Sequence, residues 1–378
     1  MILTDIKLNN FRNYKNVKIK LSDKINIIYG DNGQGKTNLL ESIYVLALTK
    51  SHRMYIDNNL IYNNSKQASI VYRVKRYIAS PLLTFSQNMV KLSQNEKILT
   101  IDSNVEKKVS NYISKLNIIF FYPEDLELVK GNPIIRRKYI NTQLSQLQSN
   151  YMIILNDYNK LIKIKNKFLK NKNLLNDSDK QYFKILNEHI VNRAVSIYLL
   201  RKKYIDKINS NAEDIYYKLT GIKKFYVKYK PSIDISNDRN EIIRNLKRKL
   251  EEKEKDEFRL KKSLIGPHLD DYEFFIDEKN LKSYGSQGQQ RIAVLSMKLS
   301  EVEIFKYYKN TFPILLLDDV FSELDNKKRN LLLKYINNNI QSIITTTDLR
   351  NINKKVLLNS KIFKIMNGTI IKEVEKNG

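Results

Sequence analysis

The sequence predicts an α/β protein whose nucleotide-binding head is split along the chain by an inserted helical arm. Three features predict this: a phosphate-binding motif near the N-terminus, a strongly helical stretch at 136–219, and an acidic strand at 314–318. Strands that alternate with helices are typical of α/β folds. We therefore expect three segments: the first part of the head with an antiparallel β lobe at 1–140, a coiled-coil-like arm at 141–260, and the remainder of the head at 261–378.

The N-terminal segment carries the phosphate-binding motif between a strand and a helix. Apolar residues alternate at 2–8 and 17–21, as in half-buried strands, and a further short strand at 24–29 precedes the motif. Backbone amides of such a loop cradle phosphates, the lysine reaches the β and γ oxygens, and the threonine hydroxyl binds Mg²⁺. The predicted nucleotide-binding residues are Gly30, Asp31, Asn32, Gly33, Gln34, Gly35, Lys36 and Thr37.

The middle of the chain has the apolar spacing of long helices. Apolar residues repeat at helical intervals over 151–162 and again over 183–219, and the second run stops at Thr220-Gly221, where a glycine cap is expected. A charged helix is predicted at about 238–258, and strand-like alternation at 66–101 predicts the β lobe. A purely structural helical bundle and a partner-binding arm both fit the helical pattern.

An apolar strand that ends in two aspartates predicts the metal side of the site. Ile314–Leu317 delivers Asp318 to the carboxyl end of a strand, where α/β proteins bind ligands. There Asp318 would hold Mg²⁺ and Asp319 would polarise the attacking water. Taken alone, the pattern is also that of a core strand that ends in a solvated acidic turn; its place downstream of the phosphate motif favours the metal site.

A serine- and glycine-containing helix start precedes the acidic strand. The predicted signature residues are Ser286, Gln287, Gly288 and Gln289. In isolation this segment is a helix cap. Its position before the acidic strand is the order found in ABC-type ATPases, in which the serine segment of one subunit contacts the γ-phosphate held by the other. The head is therefore predicted to be an ABC-type P-loop ATPase head.

Six motifs together resemble one family. They are FRNY at 11–14, GDNGQGKTNLLESI at 30–43, FFYPEDLELVKGNPIIRRKYI at 120–140, GPHLDD at 266–271, SQGQQR at 286–291 and LLLDDVFSELD at 315–325. Over most of its length the chain resembles the RecF family of bacterial recombination and replication-repair proteins, which are SMC-like ABC ATPases. The arm matches in helical character and length more than in motif.

This resemblance implies an ATP-dependent homodimer in which two ATP molecules lie between P-loops and opposed Ser286 segments. It places Ser322 and Asp325 in the D-loop that reports across that interface. Glu124 stands where SMC relatives carry a glutamine that lines the metal and the water, which makes it a further candidate Mg²⁺ ligand. Asp319 stands where ABC transporters usually have glutamate, so slow hydrolysis is expected.

Two further residues and one motif have alternative interpretations. Thr347 and Asp348 follow the last strand, where many relatives have a switch histidine, and either is a candidate for orienting the γ-phosphate. His268 either caps a tight Gly-Pro-His turn, which we favour, or couples to the nucleotide, as the resemblance implies.

Composition points to a polyanionic partner. The chain has 67 Lys and Arg against 40 Asp and Glu, a formal net charge of +27, which suggests nucleic acid. The alternative is an A/T-rich coding sequence that accumulates lysine on solvated faces. Among basic clusters that are each as readily solvated faces, the DNA-binding candidates are Lys50, Arg53, Arg73 and Arg76. No base-reading module is recognisable, so binding that does not depend on sequence is expected.

The cellular context follows from what the sequence lacks. Cysteine is absent, no apolar run approaches the roughly 18 residues of a membrane helix, and no secretory signal is recognisable, so a cytoplasmic protein without membrane partners is expected.

The leading hypothesis is a DNA-binding ATPase of gap repair, in which ATP drives dimer closure on DNA and weak, DNA-stimulated hydrolysis resets it. The resemblance implies binding of single-stranded DNA and of junctions with duplex DNA, and RecR and RecO as partners. Three alternatives are an ABC transporter ATPase subunit, a small-molecule P-loop kinase and a non-catalytic ATP-gated clamp. The long interval between Lys36 and Ser286 argues against a transporter, and a kinase needs neither the signature nor the D-loop.

Overall fold

The computed structural model describes residues 1–53, 57–77, 83–94, 96–171, 176–336 and 340–375. The chain forms two compact units, and each is described by itself. The first unit comprises 1–125 and 298–378, and the second comprises 126–297. None of the described helices is long and apolar enough to cross a membrane.

The strands in chain order are β1 (Ile2–Phe11), β2 (Tyr14–Lys20), β3 (Ile25–Tyr29), β4 (Gln67–Tyr77), β5 (Leu83–Ser93), β6 (Lys97–Ile101), β7 (Asn104–Val105), β8 (Ile118–Phe121), β9 (Phe225–Lys230), β10 (Asp271–Ile276), β11 (Lys279–Asn280), β12 (Ile314–Asp318), β13 (Ser342–Thr346), β14 (Ser360–Met366) and β15 (Thr369–Glu375). The helices are α1 (Lys36–Leu48), α2 (Val109–Ile113), α3 (Glu127–Lys130), α4 (Pro133–Leu147), α5 (Ser149–Asn171), α6 (Asp177–Thr220), α7 (Arg239–Leu260), α8 (Leu281–Tyr284), α9 (Gln287–Lys309), α10 (Asn326–Ile336) and α11 (Lys354–Leu358).

The first unit holds a mostly parallel sheet in the order β15-β14-β3-β13-β12-β8. Only its edge strand β15 is antiparallel. Every residue of β12 and β13 is buried, which explains the uninterrupted apolar run before Asp318. The register aligns Asp318 with Thr345 and Thr346 with Tyr29, so the P-loop and the acidic turn leave the same edge of the sheet.

The β lobe of the first unit is an antiparallel sheet in the order β2-β1-β4-β5-β6-β7. Its strands alternate between a buried apolar side and a solvent-facing polar side, as the period of two requires. Ile6, Ile70 and Val90 represent the buried side. Leu82, which belonged to the predicted alternation, lies outside the described residues.

The second unit is built on the long helices α4 to α7. Helix α6 ends at Thr220, and Gly221 caps it with φ 77° while its N–H donates to the Tyr217 carbonyl. The predicted end of this helix is therefore confirmed. Residues 172–175, within the linker that the sequence suggests as a hairpin turn, lie outside the described residues.

A three-stranded sheet, β11-β10-β9, also belongs to the second unit. Strand β10 pairs antiparallel with β9, which the sequence analysis missed, and residues 261–297 therefore group with the helices that precede them. The sequence analysis assigned this stretch to the head because strand alternation resumes there. Alternation identifies a strand but not its partner, which for β10 is β9 of the same unit. The division at 140 and 260 into head and arm stays a prediction.

A buried ion pair lies at the centre of the second unit. The Arg201 guanidinium donates to Asp270 at 2.7 Å, to the Pro267 carbonyl at 2.6 Å and to Asn141 at 2.9 Å, and both charged side chains are almost fully buried. The Asp270 carboxylate also accepts from the Tyr229 hydroxyl at 2.5 Å. Four segments that are far apart in sequence therefore share one polar centre.

His268 lies next to this centre in a short 3₁₀ turn, Pro267–Leu269. Its Nδ1 is 2.6 Å from the Tyr158 hydroxyl oxygen, and burial lowers the pKa of the imidazole to about 4. A Cβ on Gly266 would lie 2.1 Å from the same hydroxyl. These contacts support the interpretation of Gly-Pro-His as a packed turn.

Candidate nucleotide site

The P-loop follows β3 and has a backbone that glycine permits. Gly30 has φ 155°, and a Cβ on it would lie 2.4 Å from the Ile365 carbonyl oxygen. The Lys36 ammonium donates to the Gly30 carbonyl at 2.7 Å and to the Asp31 carbonyl at 2.9 Å. Burial lowers the pKa of Lys36. The negative charges of Asp319 and Asp318 raise this pKa, but burial is the larger effect. The ammonium therefore stands at the centre of the loop, where a phosphate would be held.

Asn13 and Tyr14 of the FRNY motif, which the sequence analysis used only as part of the family resemblance, support this loop. The Tyr14 hydroxyl donates to the Gly35 carbonyl at 2.9 Å, and the Asn13 side chain donates to the Gln34 carbonyl at 3.1 Å. The Gln34 side chain in turn accepts from the Asn367 backbone N–H at 2.7 Å. The turn between β1 and β2 thus orients the P-loop from one side and the β14–β15 turn from the other.

A buried carboxylate on α1 completes this support. Glu41 is fully buried and receives two hydrogen bonds from the Arg12 guanidinium, at 2.8 and 2.9 Å, and one from Ser51 at 2.5 Å. Burial by itself would raise the pKa of Glu41, but the bonds from Arg12 and Ser51 lower it below the usual range. Sequence reasoning missed this contact, because nothing in the local pattern of α1 marks one buried glutamate among its apolar residues.

The acidic turn reaches the P-loop through Asp318. Its Oδ1 accepts from the Thr37 hydroxyl at 3.1 Å and from the Thr345 hydroxyl at 2.7 Å, and its Oδ2 lies 3.9 Å from the Arg53 guanidinium. Burial raises the pKa of Asp318, and the hydrogen bonds from Thr345 and Thr37 oppose that effect. The structure therefore brings together Thr37 and Asp318, the two residues predicted to hold Mg²⁺.

Asp319 occupies the next position in a left-handed conformation, with φ 51°. Its backbone N–H donates to the Thr345 hydroxyl at 3.0 Å. Its Oδ1 is buried and has no hydrogen-bond partner in the described part of the chain. A buried acceptor without a donor is costly unless a ligand, a metal or a water satisfies it.

These residues fit a magnesium nucleotide. Mg²⁺ is usually bound by one or two carboxylates and hydroxyls, with substrate phosphates and waters completing the shell. Within the described ranges no group of three or more His, Asp or Glu side chains could hold a metal. A site whose remaining ligands come from the nucleotide agrees with both facts.

Glu124 lies in a 3₁₀ turn directly after β8, and β8 ends beside Leu317 at the same edge of the sheet. Glu124 is exposed, whereas its neighbour Asp125 is buried against the Lys298 ammonium at 2.5 Å. Glu124 therefore follows the same edge of the sheet as Asp318, where a metal ligand is expected, but its role stays a prediction.

The signature segment forms a capping box at the start of α9. The Gln289 backbone N–H donates to the Ser286 hydroxyl at 3.3 Å, and the Ser286 N–H donates to the Gln289 side chain at 2.9 Å. Ser286, Gln287 and Gly288 are exposed, and a Cβ on Gly288 would meet no atom within 4 Å. This segment belongs to the second unit, and the start of its first helical turn is exposed to solvent.

The D-loop and switch candidates have local partners. Asp325 accepts from the Lys328 backbone N–H at 2.9 Å and so caps α10, and the exposed Ser322 donates to the Asp319 carbonyl at 2.6 Å. Asp348 accepts from the Arg350 N–H at 2.8 Å, and Thr347 is exposed.

On strand β13, just before the switch candidates, Thr345 contacts the acidic turn. Its hydroxyl donates to Asp318, its register partner on β12, at 2.7 Å. Sequence reasoning named only its neighbours Thr347 and Asp348. The roles of those two, and of the D-loop residues, stay predictions.

The four predicted DNA contacts lie in different settings. Arg53 points at Asp318 in the nucleotide site. Arg76 donates to the Lys115 carbonyl and follows the buried side of β4, whereas Arg73 lies on the exposed side of the same strand. Lys50 is exposed after α1. As DNA contacts, all four remain predictions.

Comparison with known proteins decides the family. A family model described as the RecF/RecN/SMC N terminal domain matches residues 2–370. The chain is 35% identical to the DNA replication and repair protein RecF of Oenococcus oeni, over 98% of this chain and 100% of that protein. It is 38% identical to the protein of the same name from Lactobacillus gasseri, over 98% and 99%. The chain belongs to the RecF family.

Solved structures agree with this membership. The chain is similar to a structure of the recombination mediator protein RecF-ATP in the RecFOR pathway, with 29% identity, TM-score 0.89, and coverage of 99% of this chain and 97% of that one. A second RecF structure, described as RecF-ATPrS, gives 28% identity, TM-score 0.87, and coverage of 98% of both chains. An Smc head domain from Pyrococcus furiosus, 16% identical with TM-score 0.54, shares the fold. The predicted family and the ABC-type head are confirmed, and the transporter and kinase alternatives are not favoured.

We expect Thr345→Val to weaken the nucleotide site of this RecF-family chain without unfolding it. The substitution keeps the volume but removes the donor to Asp318 and the acceptor for the Asp319 N–H, at a cost of about 1–3 kcal/mol for the buried groups left unpaired. ATP hydrolysis should fall by about tenfold for each 1.4 kcal/mol lost at the site. Steady-state ATPase assays and thermal unfolding measure the two effects. Thr345→Ser, which keeps the hydroxyl, is the control and should behave as wild type; equal loss in both variants would contradict a role for that hydroxyl.

Proposed function

We propose that this chain is an ATP-dependent DNA-binding protein of recombinational gap repair and replication restart. It binds DNA without sequence preference, dimerises on ATP, and hydrolyses ATP slowly to reset. The observation that carries the proposal is the contact of Thr37 with Asp318 at the P-loop of a RecF-family head, followed by Asp319, whose buried Oδ1 has no hydrogen-bond partner among the described residues. Relatives solved as RecF-ATP and named DNA replication and repair proteins support the same role.

The residues of the head divide the work of holding ATP. Backbone N–H groups of Gly30–Thr37 face the phosphates, and Lys36 exchanges its two loop carbonyls for β and γ oxygens. Thr37 and Asp318 hold the metal, with Glu124 as a further candidate. Bound Mg²⁺ neutralises charge on the phosphates. Asp319 Oδ1 orients the attacking water and accepts its proton.

ATP sets the dimeric state through residues that are exposed in the single chain. Ser286, Gln287 and Gly288 at the open start of α9 contact the γ-phosphate held by a second copy. Ser322 and Asp325 report across the same interface. A short Asp319 side chain in place of glutamate supports slow hydrolysis, and DNA stimulates it. RecR and RecO, implied by the family, are the proposed protein partners, and the cytoplasm is the proposed location.

The composite site can be tested by mixing two inactive variants. Lys36→Ala disables the P-loop and Ser286→Ala disables the signature, so neither variant alone should dimerise with ATP or bind DNA in response to it. An equimolar mixture should recover part of both activities, because a mixed dimer keeps one intact site. Light scattering and DNA-binding anisotropy give the two measurements.

The matched control is Ser283→Ala, an exposed serine on α8 close to the signature, which should behave as wild type. A wild-type protein that stays monomeric with ATP and ignores DNA would contradict the proposed function. Dimerisation by Ser286→Ala alone would contradict the composite site only.

A further inference from the structure

The solvent-facing side of the β lobe carries a concentration of cations. Strand register places on this one side a set that we call the basic sheet face: Lys7, Lys18, Lys20, Arg73, Lys75 and Lys91. The opposite side of the same strands is apolar and buried. The face is visible only once the register is known, because its members come from β1, β2, β4 and β5.

Like charges lie directly opposite each other on this face. Lys7 on β1 pairs in register with Lys18 on β2. In the neighbouring row, Asp5 lies between Lys20 and Arg73, so one carboxylate faces two cations. Like charges opposite each other on antiparallel strands destabilise a sheet. The arrangement therefore has a cost in stability that folding alone does not explain.

Most lysines of the basic sheet face have no anionic partner in the described part of the chain. Among the residues that the structure describes, no ion pair involves Lys7, Lys18, Lys20 or Lys91. Two other members of the face do have carboxylate partners: the Arg73 guanidinium lies 3.9 Å from Asp5, and the Lys75 ammonium lies 3.4 Å from Asp23.

Helix α7 provides a contrast, because several of its cations are paired with carboxylates one turn away. There Lys249 pairs with Glu252 at 2.8 Å, Lys253 with Asp256 at 3.2 Å, and Arg248 with Glu252 at 3.8 Å. On the sheet, by contrast, Lys7, Lys18, Lys20 and Lys91 have no ion pair among the described residues and lie on one side, so uncompensated positive charge is concentrated there.

We propose that the basic sheet face binds the phosphate backbone of DNA. Neighbouring strands lie about 4.8 Å apart and alternate residues along a strand about 6.8 Å apart, so the basic side chains project from closely spaced positions on one side of the sheet. Such an array neutralises several phosphates at once and carries no base information. The inference rests on the proposed function, since it supplies the surface for the DNA that the ATP-bound protein holds.

The test compares two triple variants of the full chain with the same change in net charge. The first is Lys7→Gln, Lys18→Gln and Lys20→Gln; the control on α7 is Arg248→Gln, Lys249→Gln and Lys253→Gln. DNA affinity is measured with ATP and a fluorescent blunt duplex between about 0.05 and 0.2 M salt. For the face variant we expect affinity at least about tenfold lower and a salt slope smaller by about 2 to 3, close to one unit per lost phosphate contact. The control should keep the wild-type slope.

Two further readouts separate the possible failures. ATP binding should be unchanged in both variants, and the melting temperature of the face variant should not fall, because Lys7 and Lys18 no longer repel each other. A face variant that keeps wild-type affinity and slope, or a control that loses as much as the face variant, would overturn the proposed surface while leaving DNA binding itself intact. A wild-type protein that does not bind the duplex with ATP would instead overturn the proposed function.

Discussion

Asp319→Asn is expected to leave ATP binding intact and to lower the rate of hydrolysis by about 10²- to 10⁴-fold, the usual contribution of a positioned general base. The reason is the state of the Asp319 carboxylate. Its Oδ1 is buried without a hydrogen-bond partner among the described residues, next to Asp318, which holds Thr37 of the P-loop. Asparagine keeps the shape but cannot accept the proton. Because hydrolysis is the step that resets the proposed dimer, the variant should accumulate as an ATP-bound dimer.

Single-turnover hydrolysis and light scattering with ATP measure these two effects on one preparation. Two comparisons sharpen the result. Asp318→Asn should weaken binding of the magnesium nucleotide itself, because Asp318 touches the Thr37 hydroxyl directly. Glu124→Gln should have a small effect if Asp319 is the base. If Asp319→Asn hydrolyses ATP at the full rate and Glu124→Gln does not, the base is Glu124 and not Asp319. If the wild type and all variants show only negligible hydrolysis, a non-catalytic clamp is favoured.

Arg201→Met is expected to have the largest effect on folding, a loss of about 3–5 kcal/mol in the free energy of unfolding. The guanidinium is the donor to the buried Asp270, to the Pro267 carbonyl and to Asn141. Methionine fills much of the volume but leaves an unpaired buried carboxylate. Most of the cost therefore comes from Asp270 and not from the lost contacts of the arginine stem.

The matched control lies on the same helix. Arg193 is about half exposed and lies 3.7 Å from the equally exposed Asp157, so Arg193→Met should change stability by about 0–1 kcal/mol. Chemical denaturation followed by circular dichroism compares the two variants. Adding Asp270→Asn to Arg201→Met should recover part of the loss, since the buried negative charge is gone. Equal effects of Arg201→Met and Arg193→Met would show that the buried centre does not stabilise the unit.

Some elements could be predicted from the sequence, because all of the residues that identify each of them lie in one short segment. The P-loop is recognisable because glycine, lysine and threonine must stand at set intervals to wrap a phosphate. Strand β12 is recognisable because burial on both sides requires an uninterrupted apolar run. The end of α6 is recognisable because Gly221 adopts the left-handed conformation that other residues avoid.

Contacts between distant segments were not predictable in the same way. Arg53 belongs to a basic cluster, which predicts a DNA contact, yet its guanidinium lies 3.9 Å from the Asp318 carboxylate. Thr345 looks like any β-branched strand residue, yet it holds both aspartates of the acidic turn. Strand β10 was identified by its alternation, but its partner β9 lies across the whole of α7 in sequence.

The sequence by itself determined the family, the ABC-type head, the residues that surround the phosphates and the long helices, because each of these depends on spacing along one segment. Only the tertiary structure decided that Thr345 and Arg53 meet Asp318, that Arg201 neutralises Asp270, and that lysines from β1 and β2 form one basic face. The physical reason is that burial, hydrogen bonding and charge repulsion depend on distance in space, and strand register and helix packing bring residues together that no interval in the sequence relates.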